Sequence, residues 1–488
     1  MAGIGFELKH LFRKKGLFAS FRAYGYAGII CTGPMLLGVL LLLGVMFLCG
    51  LFGAGEQERE LLVCMITYTL LASLLVTSFF SMAVTRFLAD MLYEEKPEAV
   101  LPSFWGSNSI MLAAGELLYG MFLLVSGASL LDGILCLWLF GELIVVWNAM
   151  SYLTAIKDYR GILTSFSSAV LVTFLIGFLL LLWGLPAVEA LLCAVSVGYG
   201  VMLLWDVVLL YQYFPESDVR PFLFLRWVDQ FQPLAFTGLL LNVGLFSHLV
   251  IMWAGPIRVQ VKGLFYGAPY YDVPALMAFM TILVTTIHFV VSVEVNFYPK
   301  YRTYYSLFND KGSIKDIRQA EKEMLEVLNG ELRYTAYKQL FMTALCICFG
   351  GIVLDYLPLG FNDLMHGYFR ILCVGYGLYA VGNTVLLILL YFTDYQGALS
   401  VSAVFAACSA LFTGLSLLGN PVYFGFGFLA AGAVFFLLAV LRLDVFTRRL
   451  PYHILSVQPV VAESRSGMFS RFGEFLENKM GEKEEGAG

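Results

Sequence analysis

The chain has 488 residues, of which 60% are hydrophobic and only 13% charged, with a mean hydropathy of +0.81. Soluble globular chains carry about a quarter charged residues, so this composition excludes a large soluble protein and calls for a chain whose apolar surface meets lipid. The net charge of −5 says little, because the charges are segregated along the chain, and nothing in the sequence calls for a nucleic-acid partner.

From the N-terminus, Ile4, Phe6, Leu8, Leu11, Phe12 and Leu17 alternate with Lys9, Arg13, Lys14 and Lys15. That pattern predicts an interfacial basic helix over 1–21. The first apolar run, 22–52, is too long for the core of a signal peptide and has no small-residue cleavage site after it, so it reads as the first spanning helix. A spanning helix needs about 20 apolar residues. Further runs lie at 61–88, 105–127, 131–155, 162–184, 187–211, 234–254, 273–297, 337–357, 366–392, 397–418 and 424–446. The expectation is an all-α polytopic membrane protein of about 12 helices. It divides into a first six-helix lobe (22–212), a cytoplasmic linker (213–233), a second lobe (234–448) and a cytoplasmic tail (449–488).

Gly25, Gly28, Gly33 and Pro34 predict a bend in helix 1. Pro233 and Pro256 bracket helix 7. Within the second lobe, Ile314, Ile317, Met324, Leu325, Leu328 and Leu332 recur at helical spacing, opened by a capping-box-like Ser313 and Asp316. They predict a cytoplasmic amphipathic helix over 313–335, which docks a partner or lies on the bilayer as a lid. The tail after Gly467 shows one apolar stripe, then an acidic end expected to be disordered.

Positive charge orients the helices. With both termini inside, the inner segments hold Lys9, Arg13, Lys14, Lys15, Lys96, Lys157, Arg160, Arg220, Arg226, eight Lys/Arg from Lys300 to Lys338, and six after Arg442. The outer loops hold only Arg59, Arg258 and Lys262. Such a bias places both termini in the cytoplasm.

Two polar stripes stand out. In helix 2, Ser73, Thr77, Ser81 and Thr85 recur every fourth residue and lead to Arg86 and Asp90. In helix 8, Thr281, Thr285, His288, Ser292 and Asn296 share one face, near Glu294. These helices are equivalent in a six-plus-six repeat, and polar stripes facing lipid are costly. One reading is a pair of helices lining a water-filled cavity between two lobes. The other is helix–helix packing through small polar residues. His288 and Asn296 favour the cavity, because packing alone does not call for them. Other polar groups within the spans are Glu116, Glu142, Asn148, Asn242, His248, Arg370 and Asn383, all candidates for a substrate path; Glu116 or Glu142 with Arg370 is equally compatible with a structural ion pair.

The nine cysteines lie in apolar runs without a C-x-x-C pair, so neither a disulfide framework nor a zinc site is indicated. No nucleotide-binding loop, dinucleotide fingerprint or hydrolase motif occurs, so no catalytic residue, metal or cofactor is expected, and transport would not run on nucleotide hydrolysis.

Several strings carry a resemblance. MAGIGFELKHLFRKK with RAYGYAGIICTGP opens the chain. FPESDVRPFLF precedes helix 7, VEVNFYPKYRTYYSLF leaves helix 8, LLYFTDYQGAL joins helices 10 and 11, and LPYHILSVQP follows helix 12. The chain resembles the PelG family of inner-membrane exporters of the Pel exopolysaccharide, a polysaccharide branch of the multidrug/oligosaccharidyl-lipid/polysaccharide exporter superfamily. The resemblance implies two six-helix lobes around a cavity lined by helices 1, 2, 7 and 8. It implies a partly deacetylated, amino-sugar-rich polymer as substrate. It implies a cytoplasmic glycosyltransferase and a cyclic-di-GMP-responsive membrane scaffold as partners. On that reading Glu116, Glu142 and Glu294 attract amines, and Tyr24, Tyr26, Trp147 and Tyr298 stack on sugars. Two rival functions remain: a cation-coupled antiporter or flippase for small molecules or lipid-linked oligosaccharides, and a membrane scaffold that anchors or activates a synthase.

Overall fold

In the computed structural model of the chain, the structure describes Gly33 and residues 36–156, 158–309, 312–356, 359–456 and 467–485. The basic segment 1–21 and the helix breakers Gly25, Gly28 and Pro34 lie outside the described residues.

The first half holds α1 (Leu36–Leu51), α2 (Glu56–Tyr93), α3 (Val100–Val125), α4 (Leu130–Ile156), α5 (Tyr159–Leu182) and α6 (Ala187–Tyr213). A short helix, α7 (Leu225–Gln230), lies in the linker. The second half begins with α8 (Gln232–Met252), followed by an antiparallel hairpin of β1 (Val259–Lys262) and β2 (Phe265–Gly267). The next span is broken into α9 (Pro269–Phe279), a 3₁₀ turn (Met280–Ile282), α10 (Leu283–Val291), a π-helical segment (Ser292–Phe297) and α11 (Tyr298–Asn309). Then come α12 (Ile314–Tyr356), α13 (Asp363–Tyr391), α14 (Tyr395–Ser416) and α15 (Phe426–Thr447). Two further helices, α16 (Leu450–Ser456) and α17 (Met468–Glu485), close the described chain.

Eleven of the helical stretches among the described residues are long and apolar enough to cross a membrane; α1 is the described part of the first apolar run. Successive spans alternate in direction, so the bundle has a hairpin end and a linker end. Buried residues form one cluster in each half, around Phe140, Leu143 and Ile144 in the first and around Tyr368, Leu372, Phe405 and Phe435 in the second. A third cluster, with Phe87, Phe104, Tyr152 and Phe224, sits at the linker end of the first half. In lipid such contacts are held by close packing and internal hydrogen bonds, since tails are as apolar as leucine. The two halves form a multi-pass membrane protein.

Two expectations change. The helix expected over 313–335 forms, but it does not end there: α12 runs unbroken for 43 residues and continues into span 9. No proline interrupts it, the Asn329–Gly330 pair is carried within the helix, and Ser313 caps its start, with Asp316 N donating to Ser313 Oγ (3.2 Å). The acidic tail is helical through Glu485, because its start is capped from outside, as described below.

Candidate functional site: the seam between the halves

The halves meet along α2 and α8. Midway, a Cβ on Gly238 would lie 2.5 Å from the Ser78 carbonyl oxygen, so the backbones approach as only glycine allows. At the hairpin end, the hairpin of the second half is seated in the first. Phe265 is fully buried there, its ring 5.3 Å from Tyr68 and 5.6 Å from Phe122. Tyr68 Oη donates to the Tyr266 carbonyl (2.9 Å) and accepts from Tyr266 N (3.2 Å). Leu264 N donates to the Ser126 carbonyl (2.7 Å), and Lys262 Nζ meets Asp132 Oδ2 at 3.3 Å. Tyr68 also stacks on Trp253 at 4.6 Å.

At the linker end, Arg86 Nε donates to Asp90 Oδ2 (3.0 Å), and its guanidinium lies 5.2 Å over Phe231 and 3.4 Å from Tyr395 Oη. Asp90 Oδ2 also accepts from Trp227 Nε1 (2.9 Å). Both ends of the seam are therefore bonded, each by residues from both halves or from the linker between them.

The stripe of helix 2 lies along α2 beside this seam. Ser73 and Thr77 are buried, and Trp147 Nε1 donates to Ser73 Oγ (3.0 Å). Ser81 and Thr85 are half-buried, with Thr85 Oγ1 donating to the Ser81 carbonyl (2.8 Å). The stripe of helix 8 faces α12. Thr285 Oγ1 donates to Gln339 Oε1. His288 Nδ1 lies 3.2 Å from Lys338 Nζ. Ser292 Oγ and Asn296 Nδ2 donate to the two oxygens of Glu331, both at 2.7 Å. Thr281 is buried, its hydroxyl unpartnered. Glu294 lies in the π segment.

The remaining candidates scatter. Asn148 is buried in the first half, donating to Ser107 Oγ (2.8 Å) and Asn108 Oδ1 (2.9 Å). Glu142 is half-buried and accepts from Trp138 Nε1 (2.8 Å). Glu116 is exposed on α3, and Arg370 is exposed on α13, with no ion pair joining Arg370 to Glu116 or Glu142. Asn242 donates to the Gly238 carbonyl (3.1 Å), back toward the seam. Asn383 is half-buried on α13. His248 is fully buried in the second half between two tyrosine hydroxyls, Tyr271 at 2.9 Å and Tyr376 at 3.2 Å. A neutral imidazole donates to one and accepts from the other, so both are satisfied.

Sequence reasoning missed several of these partners. Glu331, Thr335, Gln339 and Thr343 recur every four residues in α12, a signal masked by assigning 313–335 to a separate helix. Asp229, in the linker, caps α17: it accepts from Gly467 N (3.1 Å), Phe469 N (3.2 Å), Ser470 N (2.6 Å) and Ser470 Oγ (2.6 Å). Burial works against the Asp229 carboxylate, but the Ser470 hydroxyl and the three backbone donors outweigh it and hold its pKa below the usual aspartate value. Ion pairs Arg226–Glu474 (3.3 Å) and Arg220–Glu477 (3.7 Å) add to this docking, and Phe469 meets Phe79 of α2 at 6.0 Å. Among the described residues, no group of three or more His, Cys, Asp or Glu side chains converges as metal ligands would.

A mutant of the Vibrio cholerae MATE transporter VcmN superposes with a TM-score of 0.63 at 14% identity, over 89% of this chain and 99% of that one. The eukaryotic MATE transporter AtDTX14 gives 0.57 at 13% identity, over 90% and 100%. A transporter of the MOP superfamily from Pyrococcus furiosus gives 0.54 at 12% identity, over 88% and 96%. At these identities the likeness establishes the fold alone: two helical lobes, as in the MATE transporters. No curated protein matches the sequence. The family model of the PelG exopolysaccharide exporters (EPS-E) matches residues 1–455, and the chain belongs to that family.

Proposed function

We propose that the protein exports a growing, Pel-like amino-sugar polymer across the cytoplasmic membrane as it is made by a cytoplasmic glycosyltransferase, for a biofilm matrix. The observation that carries this reading is the family match over residues 1–455; the two-lobed fold is compatible with it. On this reading both termini, the linker and α17 face the cytoplasm, and the β1–β2 hairpin faces outward. The polymer passes between the halves, along the α2 stripe (Ser73, Thr77, Ser81, Thr85) with Arg86, Asn242 and Trp147 at its edge. The hairpin must then leave the first half for the path to open outward. The linker end, where α17 and α7 pack together, is the natural surface for the glycosyltransferase and the cyclic-di-GMP-responsive scaffold.

The MATE-like fold supports a second reading, antiport of a small molecule, because one superposable protein is described as a multidrug resistance MATE family transporter. One experiment separates the two. The tagged protein is purified in mild detergent from a polymer-producing strain, and polymer inside and outside cells is measured with and without its gene. Export predicts a stably bound glycosyltransferase and loss of external polymer on deletion. Unchanged external polymer in the deletion strain would refute export.

A further inference from the structure

The broken span α9–α11 and its contact with α12 hold a chain of ionisable groups that the passage between the halves does not use. Its outer member is Glu331. Its carboxylate is partly exposed, with 23% of the side chain accessible, and it accepts from Ser292 and Asn296 of the π segment. Asn296 is exposed, so the carboxylate lies at the surface of the bundle. His288, only 4% exposed, comes next: its Nε2 lies 4.0 Å from Glu331 Oε2 and has no hydrogen-bond partner. Lys338 Nζ stands 3.2 Å from His288 Nδ1 and 4.4 Å over the Tyr334 ring. An ammonium has no lone pair, so Nδ1 accepts from it, and the imidazole proton sits on Nε2, on the side of Glu331. A neutral imidazole thus separates an ammonium from a carboxylate.

Other titratable groups near the cluster are few. Tyr334 of α12 meets His288 edge-on at 5.1 Å, and the next pair toward the linker end is Lys300–Glu323 at 2.8 Å. From α13, Gly377 approaches Thr343 and Gln339 without adding charge. Buried Glu/His chains inside spans mark proton relays, and π segments and discontinuous helices gather at transporter ion sites. A metal cation fits poorly. The carboxylate already accepts two donors, and an ammonium stands beyond the histidine.

We propose that Glu331, His288 and Lys338 form a proton-binding site that couples transport to the proton gradient, with the π segment Ser292–Phe297 as the part that responds. A proton from water adds to a lone pair of Glu331 and gives the neutral acid. No other bond breaks except a hydrogen bond from Ser292 or Asn296, whose acceptor is lost. The neutral acid no longer offsets Lys338, so the grip of α12 on the π segment loosens. Return of the proton to water on the other side restores it.

The inference rests on the transport reading, but its test contains no polymer, so the two fail separately. The full-length protein is reconstituted in liposomes on a solid-supported membrane, and charge displacement is recorded on a pH jump. The wild type is expected to give a transient current that falls to the level of empty liposomes in Glu331→Gln and His288→Gln. Glu331→Asp keeps a titratable group and should retain the current with a shifted midpoint. Unchanged currents in both glutamine variants would overturn the site, as would a wild type with no current. A current evoked by a sodium jump at constant pH, and not by protons, would also overturn it. If a glutamine variant does not reconstitute as a monodisperse protein, Glu331→Asp alone decides: an unshifted midpoint contradicts the proposal.

Discussion

The ring of Phe265, a strand residue of the second half, stands edge-on 5.6 Å from that of Phe122 inside the buried core of the first half. A side chain of one lobe is thus part of the other lobe's core, and separating the halves at this end means extracting it. Full burial of a phenylalanine relative to water is worth about 1.5–3 kcal/mol. On the proposed function, the hairpin is a closure that the transport cycle reverses.

Cross-linking tests this directly. With the native cysteines replaced, cysteines at Asp132 and Lys262, whose side chains now meet at 3.3 Å, should be bridged by a short reducible thiol cross-linker. Export should then stop and return on reduction. Full export from quantitatively cross-linked protein would mean that the hairpin does not open.

Gly263 sits at φ +56°, and a Cβ there would lie 1.9 Å from the Ser126 carbonyl oxygen. Left-handed backbone costs a non-glycine residue roughly 1–2 kcal/mol, and the contact forces a shift besides. Gly263→Ala should leave the bundle folded while amide exchange over 259–267 speeds up by about tenfold or more, since each 1.4 kcal/mol is a factor of ten. Unchanged exchange would show that the hairpin is held elsewhere.

At the crossing of α2 and α8, Gly238→Val must push the helices apart. Overpacking of this kind costs about 1–3 kcal/mol. The midpoint of thermal unfolding in detergent should fall, whereas the same change at Gly330, where an added Cβ meets nothing within 4 Å, should cost less. Equal effects at the two sites would argue against a tight seam.

The α17 cap should be acid-sensitive. The folded-state pKa of Asp229 is depressed, so its contribution is present above the unfolded value of about 3.9. It is lost as pH falls through the lower folded value. A spin label at Phe472 should therefore be immobilised at neutral pH and become mobile only below about pH 4. In Asp229→Ala it should be mobile throughout, at a cost to docking of about 1–3 kcal/mol. A label equally immobile in that variant would show that the ion pairs alone dock the helix.

Much of this fold was legible in the sequence. The apolar run at 187–211 becomes α6 at 187–213, and 397–418 becomes α14 at 395–416, because length and hydropathy alone decide a spanning helix. The break between the runs at 105–127 and 131–155 is there too, with Gly127 at φ +78°. Partners were not legible. Hydropathy cannot say that the helix-8 stripe meets α12, since a polar stripe looks the same against water or against another stripe. Asp229 and Ser470 lie 241 positions apart, and no local pattern joins them. The hairpin's insertion escaped for the same reason: Phe265 reads as an ordinary loop phenylalanine until its partners Tyr68 and Phe122 are placed.

On the proposed function, a polymer crosses the membrane through this protein, and vesicles can show it. Inverted membrane vesicles carrying the glycosyltransferase, with and without this protein, are supplied with a nucleotide-sugar donor, and polymer protected from added glycosidase is measured. Export predicts protected polymer in the lumen only when the protein is present, and less of it when the Asp132–Lys262 cross-link is in place. Equal protection in vesicles that lack the protein would mean that the polymer crosses by another route.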